Sequence, residues 1–359
     1  MASATRLPLK SILLATSLVL GVSASRIQLR SAVLNTLTGP GKYSRIAVIL
    51  VIFANIKNVP FVWHYRVWSA ILRHCLFSKP QIPADLATSS LFLPVISSSR
   101  SPLYESDYNF HKSNSTYFSD LDVTRSHLVC CLLQPGIERL QHNLRTKLVL
   151  DKEGNAVSGR WGIMLGSVMC SFKREIGMYQ SYEMWSRVLC WDRKWIYIVT
   201  HFVKKGTCKP TAYILNDGSW FGKKGYKKVK GDGRVRDAEF DEKAIFASAV
   251  SKYVVKLGRL TVHPEVLLQA SGVLPPRPGG WATMSGPSGE STPEIVEVET
   301  NGTAEVGEAT EDSDWKKVEA ENKKGLKFAE HFAAMDALHH EFSGSQGPAL
   351  GRYTTGLLW

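Results

Sequence analysis

Apolar and polar positions change period several times along this 359-residue chain. Two apolar runs lie near the N-terminus, Ser11–Ala24, which follows Arg6 and Lys10, and Ile46–Ile56. Phe118–Leu133 is apolar at helical spacing and is entered from a polar stretch that opens at Asp107. Beyond it the period shortens towards two. Gly166–Phe172, Tyr182–Trp191 and Trp195–Val203 are predicted strands, rich in β-branched and aromatic residues. On the second, alternation puts Tyr182, Met184, Val188 and Cys190 on one face. Asp192-Arg193-Lys194 provides a hairpin turn, and Thr211–Leu215 closes the set. With a first strand over Leu103–Asp107, the order is strand, helix, then four strands, which predicts an α+β domain.

The C-terminal third reads differently. Phe240–Leu257 sets Ile245, Ala249, Val250, Val254 and Leu257 at the spacing of an amphipathic helix packed on the sheet. Pro275-Pro276-Arg277-Pro278-Gly279-Gly280 breaks the chain, and 281–313, rich in Gly, Ser, Thr and Glu, is predicted to be disordered. Trp315–Phe342 is a candidate terminal helix.

Charge sharpens this division. The net +12 is spread unevenly: residues 1–103 carry 11 Lys and Arg against one acid, Asp85, whereas 278–359 carry 6 against 14. A basic excess mixed with apolar runs points to a membrane or a targeting signal rather than to nucleic acid, for which no motif is present. Ile46–Trp63 is long enough to span a bilayer if Lys57 snorkels, with Trp63, Tyr65 and Trp68 as an interfacial belt. The six Cys form no C-x-x-C pair and no zinc-ligand spacing, so a reduced, mostly buried set is expected and no metal site.

The candidate chemistry lies in Asp107-Tyr108-Asn109-Phe110-His111-Lys112-Ser113-Asn114-Ser115-Thr116-Tyr117, where an acid stands four residues before a His, with Asn three and Tyr six residues after it. This stretch resembles the D-x-x-x-H-x-N-N-x-x-Y signature of the 4-hydroxybenzoyl-CoA thioesterase branch of the hotdog-fold thioesterases. Ser113 replaces the first Asn of the usual pair, and Phe110 stands where many members carry Gly. The likeness covers roughly residues 60–240 and includes the Gly-Ser-Val…Trp-Asp-Arg-Lys-Trp course of the strands.

The resemblance implies a hotdog fold, an antiparallel sheet wrapped around one central helix. On that reading 1–59 is a targeting or membrane-anchor region and 60–102 an amphipathic connecting helix and linker. Residues 103–260 are the thioesterase-like domain and 261–359 an acidic tail with a terminal helix. The implied activity is hydrolysis of an acyl-CoA or of an acyl thioester on a carrier protein, with coenzyme A or phosphopantetheine arriving as part of the substrate and no separate cofactor. Asp107 is the expected general base or nucleophile; His111, Asn114 and Tyr117 are expected to position water, the carbonyl or Asp107. Asn114 as a helix cap and Tyr117 as core are the alternatives. Lys223, Lys224, Lys227 and Lys228 are candidates for the nucleotide phosphates of coenzyme A, or else a solvated loop. A homodimer with the site at its interface is also implied, as is membrane association at the endoplasmic reticulum, with mitochondrial or secretory targeting as alternatives. The acidic tail resembles those of thioesterase-like proteins of filamentous fungi, some of them acting in secondary metabolism. Two further readings are an acyl-binding scaffold of weak activity and a hotdog dehydratase, for which no His/acid pair is evident.

Overall fold

The computed structural model describes residues 29–151, 153–207, 210, 213–215, 242–275 and 308–335, with positions 16, 17 and 21. Three helices lead in: α1 (Leu29–Thr38), α2 (Lys42–Ala54) and α3 (Val62–Leu72), the last running into a π-helical turn, Arg73–Phe77. Strand β1 (Val95–Arg100) precedes the long helix α4 (Thr116–Gln141). Then come β2 (Trp161–Phe172), β3 (Ser181–Trp191), β4 (Trp195–Lys204), β5 (Ile245–Leu257), β6 (Leu260–Val262), α5 (Pro264–Ala270) and α6 (Glu308–Ala334).

The strands form one antiparallel sheet in the order β1-β3-β4-β5-β2, with β6 on β5. The sheet curls round α4, whose 26 residues extend roughly 39 Å at 1.5 Å per residue. Leu128, Leu132, Leu133, Ile137 and Leu140 of α4 meet Val188, Ile196, Ile198 and Val255 of the sheet. This is the expected hotdog arrangement. The packing continues past β5: Val266, Leu267 and Leu268 of α5 join the same core. Gly136 allows that approach, because a Cβ there would stand 2.6 Å from the Leu267 carbonyl oxygen.

Helix α6 crosses the outer face of β3 and β4. Ala329 and Phe332 pack on Leu189, Cys190 and Tyr197. The Asn322 side chain accepts from the Trp191 N–H at 2.8 Å and donates to its carbonyl at 3.2 Å, filling backbone groups at the end of β3. Gly325 gives the close contact; a Cβ there would lie 2.7 Å from Cys190 Cβ.

Several predicted elements differ from those observed. The strand expected over Leu103–Asp107 is a 3₁₀ turn, Leu103–Glu105, followed by a tight loop, and the first strand is instead the polar Val95–Arg100. Pro102 donates no ladder hydrogen bond, which ends the strand before it. The helix expected over Phe240–Leu257 is strand β5 from Ile245 onward. Its apolar residues fit a helical spacing, but they are buried on both faces between β2 and β4, where a near-continuous run of Val, Ile and Ala suits a strand. Of the strand expected at Thr211–Leu215, the described part, Tyr213–Leu215, is not extended ladder; Thr211 and Ala212 lie outside the described residues. Cys190 does not share the face of Tyr182 and Met184. A bulge between Val188 and Cys190 reverses the alternation, so Cys190 faces α6. The terminal helix begins at Glu308, seven residues before the expected start. Ser11–Ala24 lies almost wholly outside the described residues, and among the described residues no helix is long and apolar enough to cross a membrane.

Two imidazoles join the N-terminal helices to α4. His74 Nε2 and His127 Nδ1 are 3.0 Å apart, and Cys131 Sγ lies 3.5 Å from the His74 ring. Burial pushes both pKa values down to about 4, helped at His74 by His127 and Arg73 and at His127 by Arg73 and Arg66. The folded state therefore prefers neutral imidazoles. Their stabilisation is complete above the ordinary value of 6.5 and is lost as the pH falls from there through about 4. Thermal melts across that window should show a falling midpoint, and His74→Gln/His127→Gln should flatten the fall.

Candidate active site

The chain between β1 and α4 closes into a small hairpin. Asp107 N–H donates to the His111 carbonyl at 2.8 Å, and Phe110 N–H donates to the Asp107 carbonyl at 3.1 Å. Ser106 and Lys112 bridge at its base, while His111 bridges Gly177 in the β2–β3 connection. Asp107 and Asn109 suit this geometry, since Asp and Asn side chains readily close local turns. Asp107 Oδ1 accepts the N–H groups of Asn109 at 2.9 Å and His111 at 3.2 Å. Those two bonds fix the plane of the carboxylate and leave Oδ2 unengaged among the described residues.

His111 lies in the same hairpin, its Nε2 3.3 Å from Glu175 Oε2. Asn114 is exposed; it is not a cap, since the residue before α4 is Ser115 and no side chain caps the helix. The N–H groups of Asn114 and Ser115 meet no acceptor among the described residues, so the start of α4 offers donors to an oxyanion. Tyr117 is core. It is buried against Phe172 and Phe202, with ring centroids at 5.0 and 4.8 Å, and burial raises its phenol pKa. The structure thus holds Asp107 and His111 in one hairpin that leads into α4, and turns Tyr117 inward. Lys223, Lys224, Lys227 and Lys228 lie outside the described residues.

Behind the hairpin is a charge cluster that sequence reasoning missed. Asp120, fully buried in the first turns of α4, accepts from Lys57 at 2.9 Å, Arg66 at 2.8 Å and the Tyr182 hydroxyl, and is ion-paired with Lys112 at 3.0 Å. Glu105, also buried, meets Lys112 at 2.6 Å and Lys57 at 2.9 Å. Burial alone would raise the Asp120 pKa, but Lys57, Lys112 and Arg66 outweigh it and hold the carboxyl well below the usual range. Burial lowers the Lys57 pKa against the opposing pull of Asp120. In the sequence Asp120 is one of two acids in the first turns of a helix, where the dipole already favours negative charge. The available signal was Lys57 and Arg66, two cations within an apolar stretch that lacks acids.

Comparison with known proteins points one way. Residues 102–247 match the family model described as the thioesterase-like superfamily. Thioesterase poxG of Penicillium oxalicum is 34% identical over 316 residues, covering 87% of this chain and 90% of that protein. Probable thioesterase atnL of Emericella nidulans is 32% identical over 323 residues, covering 88% and 92%. Probable thioesterase YBR096W of Saccharomyces cerevisiae is 38% identical over 120 residues, covering 32% and 45%.

The departure at Phe110 has a structural reading. Its φ is +60°, in the left-handed region where a Cβ costs roughly 1–2 kcal/mol, so the hairpin keeps the conformation that glycine would favour. Phe110→Gly removes that strain and an exposed ring but adds about 0.5–1 kcal/mol of backbone entropy cost. Denaturant unfolding should place the variant between equal stability and a gain of about 1.5 kcal/mol.

Proposed function

The chain belongs to the thioesterase-like superfamily and is a thioester hydrolase, and we propose that it cleaves an acyl-CoA or a carrier-protein-bound acyl thioester with Asp107 as general base. The observation that carries this is the clamped Asp107 carboxylate, one oxygen engaged by two backbone N–H groups and the other open, in the loop that delivers the chain to the start of α4. In the proposed reaction Asp107 takes a proton from water as the water oxygen bonds to the thioester carbon. The oxyanion is stabilised by backbone donors at the start of α4. Its collapse breaks the C–S bond, and the thiolate leaves and is protonated, giving the free acid. His111, beside Glu175, orients the water or the carbonyl.

Two features support a homodimer with a shared site. Among the described residues β2 pairs only with β5, leaving a 12-residue edge with Met164, Leu165 and Met169 exposed. Free edges of that length and apolarity invite a further strand. Tyr108, 90% exposed, lies with Phe110, Met178 and Tyr179 around the hairpin, a patch suited to an acyl chain or to a second copy.

Membrane association is part of the same proposal. No residue of α2 is buried, and its exposed Val48, Leu50 and Phe53 are accompanied by Lys42 and Arg45. Thirteen residues extend only about 20 Å, so α2 fits an interfacial helix on an anionic leaflet, such as that of the endoplasmic reticulum.

The test is thioester cleavage by the full chain with acyl-CoAs of several lengths and with acylated carrier protein. Asp107→Asn should lower kcat by about 10²–10⁴-fold while leaving the fold and acyl-CoA binding intact. Full activity in that variant would remove Asp107 from the centre of the reaction. Light scattering should give twice the monomer mass, reduced to one by Leu165→Lys/Met169→Lys.

A further inference from the structure

The buried charge cluster has an uneven origin. Glu105, Lys112, Asp120 and Tyr182 fall within the matched domain, residues 102–247, whereas Lys57 and Arg66 come from the helices before it. Inside the domain alone, two buried carboxylates would face one Lys. Lys57, in the 3₁₀ turn after α2, reaches Glu105 and Asp120 and also donates to the Arg100 carbonyl at 3.0 Å and the Tyr182 hydroxyl at 3.1 Å. Two residues earlier, Asn55 Oδ1 accepts the Tyr104 N–H at 2.9 Å. Arg66, from α3, takes the other oxygen of Asp120. The contacts therefore hold both ends of one short segment. Glu105 and Lys112 flank the Asp107 hairpin, and Ser113 N–H donates to the Glu105 carbonyl at 2.7 Å.

We infer that Lys57 and Arg66 are positioning residues for thioester hydrolysis: through Glu105, Asp120 and Lys112 they set the Asp107 hairpin against the start of α4. The inference rests on the assignment of Asp107 as the base. It makes the N-terminal helices part of the catalytic unit, so that whatever surface α2 occupies is mechanically joined to the reacting loop. None of the cluster's side chains needs to touch substrate, and Asp120 and Lys112 are fully buried.

The experiment compares Lys57→Met, Arg66→Met, Arg66→Lys and Asp107→Asn in the full chain by steady-state kinetics and amide hydrogen exchange. Expected for both Met variants is a kcat at least tenfold lower with KM within threefold. Amides of 105–113 should exchange at least tenfold faster, while α4 and β3–β5 keep their protection. Arg66→Lys should recover most of the kcat. A charge-balanced variant, Lys57→Met/Asp120→Asn, covers loss of folding in the single variants; it should fold and remain at least tenfold slow. Wild-type kcat in the folded Met variants or in the balanced variant, with Asp107→Asn inactive, would overturn the positioning role. So would equal loss of protection throughout the domain. Full activity in Asp107→Asn would instead overturn the assignment beneath it.

Discussion

A carboxylate with no exposure to water cannot remain ionised unless cations are brought to it, and Asp120 is such a carboxylate. Withdrawing each ion from water costs several kcal/mol, which returns only when the geometry of the partners is good. Three cations and a phenol surround Asp120 from four separate parts of the chain: the turn after α2, helix α3, the end of the hairpin and strand β3. The cluster need not add net stability to be decisive. Its geometry is satisfied only when these four parts stand in one arrangement, and that arrangement fixes the loop carrying Asp107.

The site divides into a buried and an open side. On the buried side lie Tyr117, Phe202 and the charge cluster, where packing and ion pairing leave little freedom. On the open side Asp107 and Asn114 meet solvent with Tyr108 and Phe110 beside them. A thioester has a polar reacting centre joined to an apolar chain, and it needs both. On the proposed assignment, the two backbone hydrogen bonds that fix Asp107 Oδ1 leave Oδ2 to take the proton without the loop having to reorganise.

The helices outside the central domain serve different faces of it. Helix α6 covers the outer side of β3 and β4, with Gly325 permitting backbone contact and Asn322 completing hydrogen bonds at the strand end. The N-terminal helices are joined instead to α4, through Asp120 and through the pair His74–His127. Their remaining surface is apolar and basic.

The chain's local pattern determined much of this protein by itself. Alternation and β-branched content identify β3 and β4, Asp192 marks their turn, and the spacing of Asp107, His111 and Asn114 marks the polar hairpin ahead of a long apolar helix. Those are short-range signals, read within a dozen residues. Tertiary structure decided the rest. Ile245–Leu257 carries apolar residues that satisfy both periods, and only its place between two strands makes it a strand. The bulge that turns Cys190 towards α6 leaves no mark in the alternation. Lys57 and Asp120 stand 63 residues apart in the chain, and nothing local says that one will neutralise the other. Charge pairing in a buried site depends on which elements meet in space, so the clamp behind Asp107 emerges only with the fold.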